Sequence, residues 1–144
     1  MRVLVFGGRD YGDINPYLEI RTVAVLKESE KNLKNIIEYI YGVDCLRQFV
    51  EDATQENPLI FISGLATGAD KLCFAYTEFP NVSIDKYPAN WDKYGKMAGH
   101  IRNQQMLDEG KPDIAVGFPG GNGTKDMIKR LEKNKIKLIK FTGE

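Results

Sequence analysis

The sequence predicts an α/β fold built on a mainly parallel five-stranded sheet, and three observations lead there. Five short apolar runs recur, at residues 3–6, 59–62, 82–87, 114–118 and 136–141, the first four each closed by glycine or proline. The segments between them carry the three-to-four-residue period of helices, the pattern of β–α–β units rather than hairpins. The chain has 144 residues, the size of one domain. Such a length buries about 68–70% of its unfolded surface, enough for a core without disulfide or metal staples.

The elements follow in order. After the first run, Asn15 and Pro16 form an N-cap and N1 pair for a helix reaching to residue 31, although residues 18–26 also alternate like a strand. Leu33, Ile36, Ile37 and Ile40 share one helix face. Leu46, Phe49, Val50 and Ala53 repeat that face beyond Gly42, with Asp44 as a candidate N-cap, so two helices and one bent helix both fit. Leu72, Tyr76 and Phe79 mark a helix that ends near Pro80. Residues 91–109 are long enough for one helix with Tyr94, Met97, Ala98 and Ile101 on a single face, and Gly95 and Gly99 would admit a close second backbone. Residues 124–134 give the last helix, with Met127, Ile128 and Leu131 inward.

Composition narrows the function classes. The chain is 42% hydrophobic and 28% charged, with 20 Lys and Arg balanced by 20 Asp and Glu, a balance that indicates neither disorder nor a strongly polyanion-binding character. Residues 125–140 carry seven basic and two acidic side chains, best read as a solvated helix face and lysines guarding an edge strand rather than a nucleic-acid surface. Cys45 and Cys73 form no CxxC pair, so neither a disulfide framework nor a zinc site is expected, and no metal or cofactor is called for. No apolar run approaches the roughly 18–20 residues of a membrane span, and the first run is too short for a signal-peptide core. A cytoplasmic protein without membrane partners is the expectation.

Ligands of an open parallel sheet bind outside the carboxyl ends of its strands, and three unusual segments fall there. Gly7, Gly8, Arg9 and Asp10 follow the first run. The glycines let the backbone turn sharply towards a ligand, and Arg9 offers a two-pronged phosphate contact, but this is not the GxGxxG dinucleotide fingerprint. Ser63 and Gly64 end the second run with backbone donors, and Gly68 and Asp70 follow. Thr67 and Asp70 have capping-box spacing, which fits a helix cap and a hydrogen bond to ligand hydroxyls equally well. Pro119, Gly120, Gly121, Asn122, Gly123 and Thr124 follow the fourth run and open a helix. Three glycines in four positions leave N–H groups bare, and the helix dipole adds roughly half a positive charge, so the segment is an anion cradle suited to phosphate. It lacks the GK[ST] ending of a P-loop.

Arg102, beside Asn103, is the leading candidate for a phosphate or ribose contact, with a carboxylate salt bridge as the competing use. His100, the single histidine, has no visible partner and reads as a surface or helix-packing residue. Tyr11, Tyr87, Trp91 and Tyr94 are aromatic enough to stack on a base, core packing being the ordinary use of at least two of them and helix anchoring that of Trp91.

Four motifs in order, GGRDY, GLATGAD, NWDKYGKMAGHIRNQQM and PDIAVGFPGGNGT, resemble the YspA branch, related to YpsA, of the SLOG superfamily. The resemblance implies a single Rossmann-like domain over residues 1–144 with helices on both faces of the sheet. It also implies binding of nucleotides or nucleotide-derived molecules, as a sensor or processor, and self-association into a homo-oligomer. Residues 15–57 carry no motif of the pattern and form an expanded, helical segment, an oligomer surface or a lid. Two relatives mark the alternatives. The LOG-type phosphoribohydrolases cleave the N-glycosidic bond of nucleoside 5′-monophosphates, with PGGxGTxxE and an arginine in the preceding helix. Arg102 matches that arginine, which makes it the candidate catalytic residue, but Met127 stands where the glutamate is expected. Methionine neither steadies positive charge on ribose nor activates water. Asp126 points about 100° away around a helix, leaving Asp10 or Asp70 to approach from another loop. The Rossmann domain of DprA binds single-stranded DNA and shares the glycine loop and the Arg102–Asn103 pair, but a neutral chain lacks the positive groove that binding needs.

Overall fold

The computed structural model describes residues 1–12 and 30–141. Its strands are β1 (Arg2–Phe6), β2 (Leu59–Ser63), β3 (Val82–Lys86), β4 (Ile114–Gly117) and β5 (Lys137–Lys140). They form one parallel sheet in the order β3-β2-β1-β4-β5, with Val3 opposite both Phe61 and Ile114. This is a Rossmann-like α/β architecture with the strand order reversing between β1 and β4.

Because β1 lies at the centre and is covered on both faces, all of Val3, Leu4 and Val5 are buried, which is why it reads as an unbroken apolar run. Side chains alternate between the faces along each strand. Val3, Val5, Phe61 and Val116 pack under α1 (Glu30–Asp52) and a 3₁₀ helix (Gly68–Tyr76). Leu4, Phe6, Ile62 and Ala115 pack under α3 (Ala98–Asp108) and α4 (Asn122–Lys133), after a short α2 (Trp91–Tyr94). At one edge of the sheet, β5 exposes Lys137 and Lys140, as the edge-strand reading expects. No helix among the described residues is long and apolar enough to cross a membrane.

Several expectations for the helices are corrected. Residues 30–52 form one continuous helix, and Asp44 lies inside it, paired with Arg47 at 2.8 Å, not at an N-cap. A single 3.6-residue period runs through Ile36, Tyr39, Val43, Leu46 and Val50, which turns Ile37 and Ile40 outward to 57% and 51% exposure. The Asn15–Pro16 start lies outside the described residues. The segment after β2 winds as 3₁₀ helix: Asp70, Cys73 and Tyr76, spaced by its three-residue period, are all buried, while Phe79 is exposed.

Residues 91–109 are not one helix. Gly95 takes φ 55°, which ends α2, and a 3₁₀ turn (Gly95–Met97) leads into α3. The buried face is Ala98, Asn103, Met106 and Leu107, whereas Tyr94, Met97 and Ile101 are exposed. Among the described residues nothing lies against Gly95, and a Cβ at Gly99 would stand 3.5 Å from the Trp91 ring rather than against a second backbone. The last helix starts at Asn122 rather than Thr124, with Met127 and Leu131 buried as expected.

Candidate functional site

A cavity of about 410 Å³ opens at the carboxyl ends of β1 and β4, where the strand order reverses. Three loops are joined along its floor. The Gly8 amide donates to the Pro119 carbonyl at 2.9 Å, and the Gly8 carbonyl accepts from Ala69 at 3.1 Å. Gly120 completes the junction: a Cβ there would stand 2.1 Å from Thr124 Oγ1 and 2.6 Å from the Gly8 nitrogen, so only glycine fits.

Beyond that junction, α4 begins without a side-chain cap. Lys125 donates back to the Gly121 carbonyl at 3.0 Å, while the amides of Gly121, Asn122, Gly123 and Thr124 have no protein acceptor among the described residues. All four residues line the cavity. Unpaired donors at a helix N-terminus are the local condition for holding an anion.

Opposite stand a cation and a buried carboxyl. The Arg102 guanidinium donates through Nη1 to the Gly64 carbonyl at 2.6 Å and through Nε to Asn103 Oδ1 at 3.2 Å. It forms no carboxylate ion pair among the described residues, and burial lowers its pKa, opposed by the charge of Asp70. Asp70 is 5% exposed and accepts from the Ala66 amide at 3.3 Å. Burial raises its pKa to about 6 against the opposing pull of Arg102, Arg9 and the amides of Ala66 and Gly7. Thr67 makes no capping bond, so the capping box does not form: the Asp70 carboxylate reaches Ala66 instead of the N-cap amide.

A hydrogen-bonded chain runs along the back wall. Asn103 Nδ2 donates to the Gly123 carbonyl at 3.3 Å and to Asp126 Oδ2 at 3.0 Å. Asp126 also accepts from Arg130 Nε at 2.8 Å and faces His100 Nδ1 at 3.0 Å. Burial pushes the Asp126 pKa up, but hydrogen bonds from Arg130, Asn103 and His100 outweigh it and hold the carboxyl below its ordinary value. At the mouth, the Arg9 guanidinium lies 5.4 Å from the centre of the Trp91 ring. A second cavity of about 300 Å³ adjoins, sharing Arg9, Ala66, Trp91 and Arg102 with the first.

Of the residues singled out in the sequence, Gly7, Gly8, Arg9, Asp70, Arg102, Asn103, Gly121, Asn122, Gly123 and Thr124 border the main cavity, and Gly64 borders the second. Asp10, Ser63, Gly68, Pro119 and Gly120 border neither. Ser63 is buried, its Oγ donating to the Asp70 carbonyl at 2.6 Å, and Gly68 sits at φ 77° beneath the carbonyls of Gly8 and Arg9. Asp10 is exposed and lines neither cavity. Met127 lies in the cavity wall, 1% exposed. Sequence reasoning missed Ala66, Lys96 and, above all, the partner of His100. The His100–Asp126 pair joins two helices, so no local spacing announces it.

No protein-family model matches the chain, and no solved structure does. The chain is 32% identical over 90 residues to the Gene 61 protein of Mycobacterium phage D29, an alignment covering 58% of this chain and 71% of that protein. With the fold and cavity in place, the likeness settles kinship: the chain belongs to the same family as the Gene 61 protein of Mycobacterium phage D29.

Proposed function

We propose that the chain binds a phosphorylated nucleoside or related nucleotide in the main cavity. The observation that carries this reading is the row of unpaired amides at Gly121–Thr124 sharing the cavity with Arg102, which forms no carboxylate ion pair among the described residues. In it, those amides hold phosphate, Arg102 and Arg9 balance its charge, and Asp70 accepts hydrogen bonds from ribose hydroxyls. Asp10, the other candidate for the ribose, stands outside the cavity and leaves that role to Asp70. Membership of the SLOG superfamily, in its YspA branch, belongs to the same reading, as do a cytoplasmic setting and self-association through the outward Ile37 and Ile40 of α1.

Calorimetry against a panel of mononucleotides, dinucleotides and cyclic nucleotides tests it, together with mass spectrometry of small molecules that copurify. Binding is expected, weakened about tenfold to a hundredfold in Arg102→Ala, the range of one hydrogen bond to a charged group. A folded protein that binds none of these compounds overturns the reading.

A second reading, hydrolysis of the N-glycosidic bond, is favoured by one observation. Asp70 places a buried carboxyl with a pKa of about 6 in the wall of the cavity, where Met127 supplies none. Free base released from nucleoside 5′-monophosphates, and lost in Arg102→Ala, supports it. Intact substrate after prolonged incubation at high protein concentration rejects it.

A further inference from the structure

We propose that His100 is a charged contact for the ligand's phosphate, and that it selects a terminal phosphate monoester over a diester. The proposal rests on the nucleotide reading for the ligand's chemistry, but a separate wall of the cavity carries it.

His100 lies in the first turn of α3 with its side chain 41% exposed, and it lines the main cavity. Its Nδ1 is 3.0 Å from Asp126 Oδ1. An ionised carboxylate only accepts hydrogen bonds, so Nδ1 carries the hydrogen and the ring's orientation is set. Nε2 is then left without a protein partner among the described residues. Asp126 is itself fixed, its other oxygen taking hydrogen bonds from Asn103 and Arg130. It belongs to α4, the helix whose first turn offers the bare amides, and Asn103 ties it to the Gly123 carbonyl at 3.3 Å. The imidazole and the amide row are therefore held to one rigid element.

The charges around the ring come from every side. Asp126 and Arg130 stand on α4, Arg102 on α3, Lys96 on the turn before it, Arg9 in the facing loop after β1 and Asp70 in the 3₁₀ helix after β2. With Asp126 on Nδ1, a proton on Nε2 makes the ring a cation between two anions, and both nitrogens donate. A phosphate monoester carries about −1.5 to −2 charge near neutral pH and three terminal oxygens, enough for the amides, Arg102 and His100 together. A diester has one charge and two free oxygens, so one of the three donor groups meets an alkylated ester oxygen, a weaker acceptor than the charged oxygen it replaces.

The protein has a single histidine, so its two imidazole nitrogens give the only such signals in a ¹⁵N spectrum. The wild-type protein is titrated with adenosine 5′-monophosphate, its 5′-methyl ester and inorganic phosphate, and calorimetry compares the two nucleotides on wild type and His100→Gln. The expected result is a free protein with the hydrogen on Nδ1, an Nε2 resonance that moves with the monoester, and about a tenfold preference for monoester over methyl ester. His100→Gln is expected to lose most of that preference. A bound monoester that leaves Nε2 unmoved overturns the proposal, as does a His100→Gln variant with the preference intact. Nε2 moved by inorganic phosphate but by no nucleotide retains the phosphate contact while removing the nucleotide reading. Nε2 silent to all three compounds overturns the His100 contact outright. The spectral arm uses only the wild-type chain and stands even where the variant fails to fold.

Discussion

Asp70 shows how one side chain is held at a disadvantage by burial in a cavity wall. Its carboxyl is raised from 3.8 to about 6 by burial, so the folded chain keeps a proton that the unfolded chain releases between those values. Its contribution is therefore most favourable below about pH 4, declines as pH rises to about 6, and stays unfavourable above, by an amount on the order of 3 kcal/mol. Asp70→Asn keeps an acceptor for the Ala66 amide without the charge. It is expected to raise stability by about 1–3 kcal/mol near pH 7 and to leave it unchanged near pH 4, read from urea unfolding midpoints. The same substitution is expected to weaken nucleotide binding. Arg102 was legible in the sequence through the arginine–asparagine pair before the glycine loop, but its tether to the Gly64 carbonyl was not. Such bonds depend on which loop ends the neighbouring strand, information that no spacing along one segment contains. The same holds for His100, whose partner Asp126 sits on another helix.

Among the elements, the strands were the most legible, because burial on both faces writes each central strand as an unbroken apolar run. The helices were less so. A three-residue and a 3.6-residue period are hard to separate over nine residues, so Gly68–Tyr76 reads as α-helix although it winds as 3₁₀. Where Gly95 turns to positive φ, nothing in the flanking residues marks the break. Two substitutions test how the elements are joined. Gly120→Ala forces a methyl group onto Thr124 Oγ1 and the Gly8 backbone, and is expected to destabilise by about 1–3 kcal/mol and to weaken ligand binding, since the two loops must separate. Leu46→Ala empties the fully buried contact between α1 and the sheet and is expected to cost about 2–5 kcal/mol in urea unfolding, with the main cavity unaffected in the folded fraction.

For the whole molecule, strand order decides where chemistry gathers. Placing β1 between β2 and β4 brings three loops, distant in sequence, around one opening. The order of the glycine motifs made that site legible as a set, although Asp10, Ser63, Gly68, Pro119 and Gly120 serve around it rather than at its surface. Overall charge points the same way: with 20 acidic residues balancing 20 basic ones, single-stranded oligonucleotide is expected not to be retained at about 0.15 M salt. Retention that persists there and disappears on charge reversal at Lys129 and Lys133 would overturn that expectation. Trp91 is the chain's single tryptophan, placed on the seam between the two cavities with the Arg9 guanidinium over its ring. An anion that draws Arg9 off the indole changes the surroundings of the protein's one strong natural fluorophore, so occupancy is written directly into its emission, with no label attached.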